Sequence, residues 1–243
     1  MKGGYFMIDG KNSEDYNLFI QHTPLIETPA RRLELKSAFG VHGGVPYDEQ
    51  AYENTEMQLL MFIDGDDRTK DREKVDALLR NNGVFKEFIP YFDPTKIYYV
   101  MNMDGIKYES PSWYKEKQAL EVIFTVKPYK YLRNVDDITF TTSTTVINPI
   151  DDVSQPLITL EGKGDITLTV NGDKFLVQNV DGSVIIDSER YFTYKRKSAS
   201  VIENQNSKYR QKPYPIFKPG SNSISVSQNA TRVVIKPRWR SLT

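Results

Sequence analysis

The chain has 243 residues, with 32 Lys plus Arg against 32 Asp plus Glu, 39% hydrophobic and 12% aromatic residues, and no cysteine. This length allows one large domain or two modest ones, the apolar content is too high for a disordered chain, and zero net charge argues against a wholesale nucleic-acid or membrane-surface binder. Without cysteine, disulfides, Cys-ligated zinc, iron–sulfur clusters and thiol catalysis are excluded.

The opening Tyr5-Phe6-Met7-Ile8-Asp9 lacks the long apolar run of a secretory signal. The runs Leu59 to Ile63 and Ile97 to Met101 fall far short of the ~20 residues of a spanning helix, so a soluble chain with no membrane partner is expected. Next, strand-like Leu33 to Phe39 and Gln50 to Leu60 flank the glycine-rich Phe39-Gly40-Val41-His42-Gly43-Gly44-Val45-Pro46-Tyr47. That pattern predicts a hairpin longer than a small sandwich needs, a candidate arm reaching a neighbouring subunit. Asp64-Gly65-Asp66-Asp67-Arg68 lacks the Gly and Glu of a calcium loop and reads as the N-capping turn of a helix. The helix is predicted over Thr69 to Asn82, with Val75, Leu78, Leu79 and Asn82 on one face, Asp71 and Glu73 in the first turn, and Gly83 as a left-handed cap.

Almost everything else reads as strand. Ile97 to Met103, closed by Asp104-Gly105, and Leu120 to Val126 are apolar or alternating. The polar stretch Tyr129 to Asp137 then suggests a boundary near Asn134, giving domains 1–133 and 134–243. Beyond it, Gly162-Lys163-Gly164 reads as a turn, Ile166 to Val170 alternates up to the hairpin signal Asn171-Gly172, and Phe175 to Val180 leads to a turn at Asp181-Gly182. Val184 to Ile186, Tyr191 to Tyr194, Ser198 to Ile202, Ile224 to Val226 and Val233 to Ile235 complete a regular set of short strands. The expected fold is mainly β: two β-sandwich domains, the first with one α-helix and a protruding hairpin.

Chemistry is sparse. The two histidines, His22 and His42, have no nucleophile-elbow context and make a poor metal site, and no phosphate-binding loop occurs. Asp151, Asp152, Glu161 and Asp165 read as solvated loop acids, so no catalytic residue, cofactor or metal is expected. Tyr191, Tyr194, Tyr209, Tyr214 and Trp239 would supply a stacking platform if they were exposed, which keeps a carbohydrate-binding module as the alternative reading. From Arg190 to Thr243 there are 12 basic residues and one acid, Glu203, a local +11 balanced by −11 over the rest. Pairing between subunits, with Lys195, Arg196 and Lys197 as a candidate electrostatic interface, accounts for this better than tight nucleic-acid binding.

Four stretches carry a family resemblance. They are Phe6-Met7-Ile8-Asp9-Gly10 with Ser13 to Leu18; Gly43-Gly44-Val45-Pro46-Tyr47 with Tyr52-Glu53-Asn54; Tyr98-Tyr99-Val100 with Leu120 to Tyr129; and Pro156-Leu157-Ile158, Val184 to Glu189, Phe217 to Ile224 and Pro237 to Arg240. In this order the chain resembles the distal tail proteins of siphophages that infect Gram-positive bacteria. The resemblance implies an N-terminal belt domain that assembles into a ring, hexameric in this family plan, and a galectin-like C-terminal domain. It also implies a virion location at the tail tip after assembly in the host cytoplasm. Its implied partners are the tail tube protein, a tail-associated tip or lysin protein and a receptor-binding protein. Galectin-like folding does not by itself imply sugar binding.

Overall fold

In the computed structural model, which describes residues 3–65, 67–80, 82–109, 117–210 and 213–243, the chain divides into one unit of residues 1–133 with 242–243 and another of 134–241. The first unit holds strands β1 (Met7–Ile8), β2 (Lys11–Asn12), β3 (Leu18–Ile20), β4 (Arg31–Ser37), β5 (Gly44–Tyr52), β6 (Thr55–Ile63), β7 (Lys86–Ile89), β8 (Lys96–Tyr108), β9 (Gln118–Val126) and β10 (Tyr129–Leu132). Helix α1 (Arg68–Leu79) lies between β6 and β7.

Apart from β4 and β5, these strands form an antiparallel sheet in the order β2-β1-β7-β8-β9-β6-β3, with β10 against β8. Residues 4–8 draw its ends together: Met7 and Ile8 pair with β7, while the Gly4 carbonyl accepts the Ile20 N–H of β3 at 2.8 Å. Such near-closure removes most of the free edge that an open sheet would expose. Period-two alternation places Met57, Leu59, Met61 and Ile63 of β6 beside Leu120, Val122, Phe124 and Val126 of β9 in one core. Each such burial is worth about 1.5–3 kcal/mol. Val75, Leu78 and Leu79 of α1 complete that core.

Asp67 caps α1 by accepting the Lys70 N–H at 3.2 Å, as the sequence predicts. The end of the helix differs from expectation. Arg80 is the C-cap, with Asn82 exposed beyond it and Gly83 (φ +77°) three residues past the cap. The last carbonyls are satisfied instead by distant residues, Leu78 by Lys86 Nζ (2.9 Å) and Leu79 by Asn102 Nδ2 (3.3 Å). Burial at that position holds the Lys86 ammonium below its usual pKa. Similarly, Asp104-Gly105 does not end its strand. β8 continues through it as a bulge, with the register jumping between Asn102 and Ile106 and the Gly105 N–H donated to Asn102 Oδ1 at 2.9 Å.

The second unit holds β11 (Ile138–Phe140), β12 (Ser143–Asn148), β13 (Leu157–Val170), β14 (Asp173–Asp187), β15 (Phe192–Arg196), β16 (Ile202–Asn204), β17 (Gly220–Val226) and β18 (Ala230–Lys236). Asn171 (φ +52°) and Gly172 (φ +92°) make the predicted two-residue hairpin, with Val170 opposite Asp173. The predicted turns at Gly162-Lys163-Gly164 and Asp181-Gly182 are instead the interiors of two long strands, paired Gly162 to Gly182 and Lys163 to Asp181. β13 bends there, with a register shift between Gly164 and Ile166, so one half pairs β18 and the other pairs β17. The eight strands run β11-β18-β13-β14-β15-β16, with β12 and β17 joined to them through β13. Glycine at 162 answers a close backbone approach, since a Cβ there would lie 2.2 Å from the Asn229 carbonyl oxygen.

Two smaller expectations also change. Glu161 and Asp165 are strand residues, not loop acids: Glu161 pairs with Arg232 at 3.6 Å, and Asp165 accepts the Asn179 N–H at 2.9 Å. The segment Ser198 to Val201 is a turn, closed by the Val201 N–H to Ser198 Oγ, and strand begins only at Ile202.

Candidate interaction surfaces

Among the described residues, β4 and β5 pair only with each other. Their register sets Leu33 opposite Asp48 and Leu35 opposite Pro46 on one face, and Glu34 opposite Tyr47 and Lys36 opposite Val45 on the other. Every side chain of β4 is exposed, Leu35 to 73%, and Phe39 at the tip is fully exposed. Phe39, Gly40, His42 and Gly43 lie in the turn, where Gly40 (φ +75°) and Gly43 (φ +82°) take left-handed backbone that other residues resist. Gly44 begins β5 opposite Ser37, and the Tyr47 ring carries Lys36 Nζ 3.9 Å from its centroid.

The root of this arm is pinned. Arg31 Nε donates to Asp48 Oδ1 at 3.0 Å, Arg31 NH1 donates to the Tyr52 hydroxyl at 3.1 Å, and Tyr52 meets Tyr129 edge-on at 6.0 Å. Those bonds hold the Asp48 carboxyl below its usual pKa and the Arg31 guanidinium above its own. Gln50 (φ +55°) gives its N–H to Asp48 Oδ1, at the irregularity where the register shifts between Leu33 opposite Asp48 and Arg31 opposite Tyr52. An ordered two-stranded arm with uncovered apolar side chains is unusual, because such a hairpin is marginal alone in water.

The basic stretch is largely met within its own unit. Lys197 pairs with Glu203 at 2.8 Å, which holds that carboxyl below its usual pKa. Lys195 Nζ donates to the Asp181 carbonyl, and Arg196 NH1 to the Ala199 carbonyl. Arg238 grips the buried Asp187 at 2.7 Å, and Arg190 approaches the same carboxylate at 3.9 Å. Counted by unit, residues 1–133 carry 18 basic and 21 acidic residues and residues 134–243 carry 14 and 11, so the contrast of 11 along the sequence becomes −3 against +3.

The stacking platform is not assembled. Tyr194, Tyr209, Tyr214 and Trp239 are buried, with Tyr209 stacked on Tyr214 at 4.5 Å and Trp239 against Phe217, and only Tyr191 stands exposed. Titratable side chains are the other candidates for a site. His22 and His42 are both exposed, and no group of three or more metal-ligating side chains occurs among the described residues. The closest cluster is Tyr98, whose hydroxyl donates to Asp93 Oδ2 at 2.8 Å and accepts from Lys130 Nζ at 3.1 Å. Burial and Asp93 push that phenol well above its usual pKa, the opposite of what a proton acceptor needs.

Fold and surface together define a two-unit β protein with a rigid core sheet and a rooted, uncovered arm. No protein-family model and no curated protein sequence matches the chain. Among solved structures, its fold matches the crystal structure of SPP1 Dit (gp 19.1), described as a paradigm of the hub adsorption apparatus of phages infecting Gram-positive bacteria. The TM-score is 0.70 at 17% identity, covering 97% of this chain and 99% of that one. The resemblance read from the four sequence stretches therefore holds at the level of fold.

Proposed function

We propose that this chain is a distal tail protein, a structural hub at the tip of a siphophage tail. In this reading the first unit builds a ring, hexameric in the family plan, and its arm bridges adjacent subunits. The second, galectin-like unit faces outward. The ring joins the tail tube protein to a tail-associated tip protein and offers a mount for receptor-binding proteins. The observation that carries the reading is the arm: Leu33, Leu35, Phe39, Val45 and Tyr47 are all exposed on a hairpin whose root is fixed by Arg31, Asp48 and Tyr52. Apolar side chains held in order away from any core suit a surface that a second chain will cover. The near end-to-end likeness to Dit supports the same role.

The test is mass measurement in solution with negative-stain imaging of the full chain, then of a variant lacking Phe39 to Pro46. A closed annulus that falls to monomers in the variant, with the unfolding transition retained, is the expected result. A monomeric full chain, or assembly indifferent to the deletion, defeats the reading.

A further inference from the structure

A second feature of the first unit lies apart from the arm. Between α1 and the bulge of β8 is a groove of about 410 Å³. The Arg72 guanidinium lies 3.9 Å over the Tyr108 ring, and the Tyr108 hydroxyl donates to Asp76 Oδ1 at 2.7 Å, so the ring is held from both sides. A guanidinium stacked on an aromatic face keeps its N–H edge for a carboxylate. Arg80 stands exposed at the end of α1, Met103 is 63% exposed on the rim, and Ile106 and Tyr108 form a floor packed on the core. Asn102, buried beside them, is already satisfied by Leu79 and Gly105, so the groove needs no small ligand to complete it. Arg, Tyr and Met around a hollow are the composition of protein-contact hot spots.

The arm carries the converse chemistry. Near its root is a hollow of about 310 Å³ lined by Arg32, Leu33, Glu34, Glu49 and Glu53. Three carboxylates meet two cations there: Arg32 contacts Glu53 at 2.8 Å but Glu49 only at 4.0 Å, and Lys36 Nζ reaches Glu34 at 3.2 Å, which leaves the face one negative charge in excess with Glu49 the least engaged. Tyr47, opposite Glu34, places an aromatic ring on the same face.

We propose that the α1–β8 groove is the receiving surface for the arm of a second copy of this chain, with Arg72 and Arg80 set against Glu34 and Glu49. The proposal rests on the arm's bridging role and names where the arm lands. Donor and receiver are different surfaces of one chain, which makes the contact heterologous, the kind that closes into a ring when the rotation allows. Complementary charge fixes register as well as attraction.

Charge reversal on the full-length chain tests it. Arg72→Glu with Arg80→Glu, and separately Glu34→Arg with Glu49→Arg, should each weaken association about tenfold or more in sedimentation. The two pairs combined should restore association to within about threefold of the parent. Arg80→Glu alone, which leaves the Tyr108 stack intact, guards against misfolding and should reproduce part of the loss. If deleting Phe39 to Pro46 dissociates the assembly while the Arg reversals do not, the groove is not the receiver although the bridging role stands. If both reversals weaken association and their combination fails to restore it, the groove serves another occupant and the pairing is overturned. If neither deletion nor reversal matters, both readings fail.

Discussion

β6 against β9 and β4 against β5 are alike as local objects: antiparallel pairs whose side chains alternate between two faces. In the first pair Met57, Leu59, Met61, Leu120, Val122 and Phe124 are all at most 2% exposed. In the second, Leu33 and Leu35 are 58% and 73% exposed. The difference does not lie in the strands themselves but in the layer above them, because β6 and β9 share a core with α1 and their neighbouring strands while β4 and β5, beyond the Tyr52–Tyr129 contact at their root, contribute no side chain to that core. Alternation makes a strand; only a second surface makes a core. A pair that keeps its order without that surface, pinned by Arg31, Asp48 and Tyr52, is what the proposed bridging role requires.

That contrast can be broken most directly in the core. Phe124→Ala should cost the first unit about 3–5 kcal/mol, read by denaturant unfolding, because the site sits among packed residues that relax only partly. A loss below ~1 kcal/mol would mean the core sheet is no better packed than the arm. The second unit offers an intermediate effect. Gly162→Ala pushes a methyl into the Asn229 carbonyl and should destabilise by about 1–3 kcal/mol, with the melting transition of the second unit shifting and the first unit's holding.

In the arm, Leu33→Ser together with Leu35→Ser should change monomer stability by no more than ~0.5 kcal/mol per site, since both side chains are already in water. Association measured by sedimentation should nevertheless fall. Equal stability with equal association would remove the arm's purpose. The smallest effect belongs to the second unit's charges: replacing Lys195, Arg196 and Lys197 together by Ser should shift assembly or partner binding only at low salt. Exposed pairs such as Lys197–Glu203 are worth ~0–1 kcal/mol and are screened. Tight DNA binding at physiological salt, abolished in the triple variant, would overturn this and revive a nucleic-acid role.

Much of the local structure was legible before any coordinates. Val75, Leu78 and Leu79 identify the buried stripe of α1, Asp67 its cap, and Asn171-Gly172 the hairpin between β13 and β14. In each case the signal is carried by residues within a few positions of the structure they specify. The arm was readable for the same reason, as two strand-like segments around a glycine-rich turn.

The failures share a physical cause. Gly162, Gly105 and Gly182 each have positive φ, and a glycine that satisfies a bend inside a paired strand looks the same in sequence as one that ends the strand. Whether the chain turns back or continues is decided by the partner strand, here β14 for Gly162 and β13 for Gly182. The end of α1 depends on Lys86 and Asn102, which come from other strands. Likewise no pattern in the run from Tyr191 to Trp239 told which rings face inward, and tertiary packing buried all but Tyr191 of the five candidate rings.

What the sequence determined by itself was the class of the molecule: mainly β, one helix, a long hairpin and no cysteine chemistry. Those follow from composition and from periodicities of two and 3.6 residues, which are properties of the chain alone. Tertiary structure decided what lies beside what: that the arm is uncovered, that Arg72 rests on Tyr108 opposite a free rim, and that the basic stretch is met by acids such as Asp187 and Glu203 of its own unit. Such neighbours are distant in sequence, and contact energies depend on distance in space.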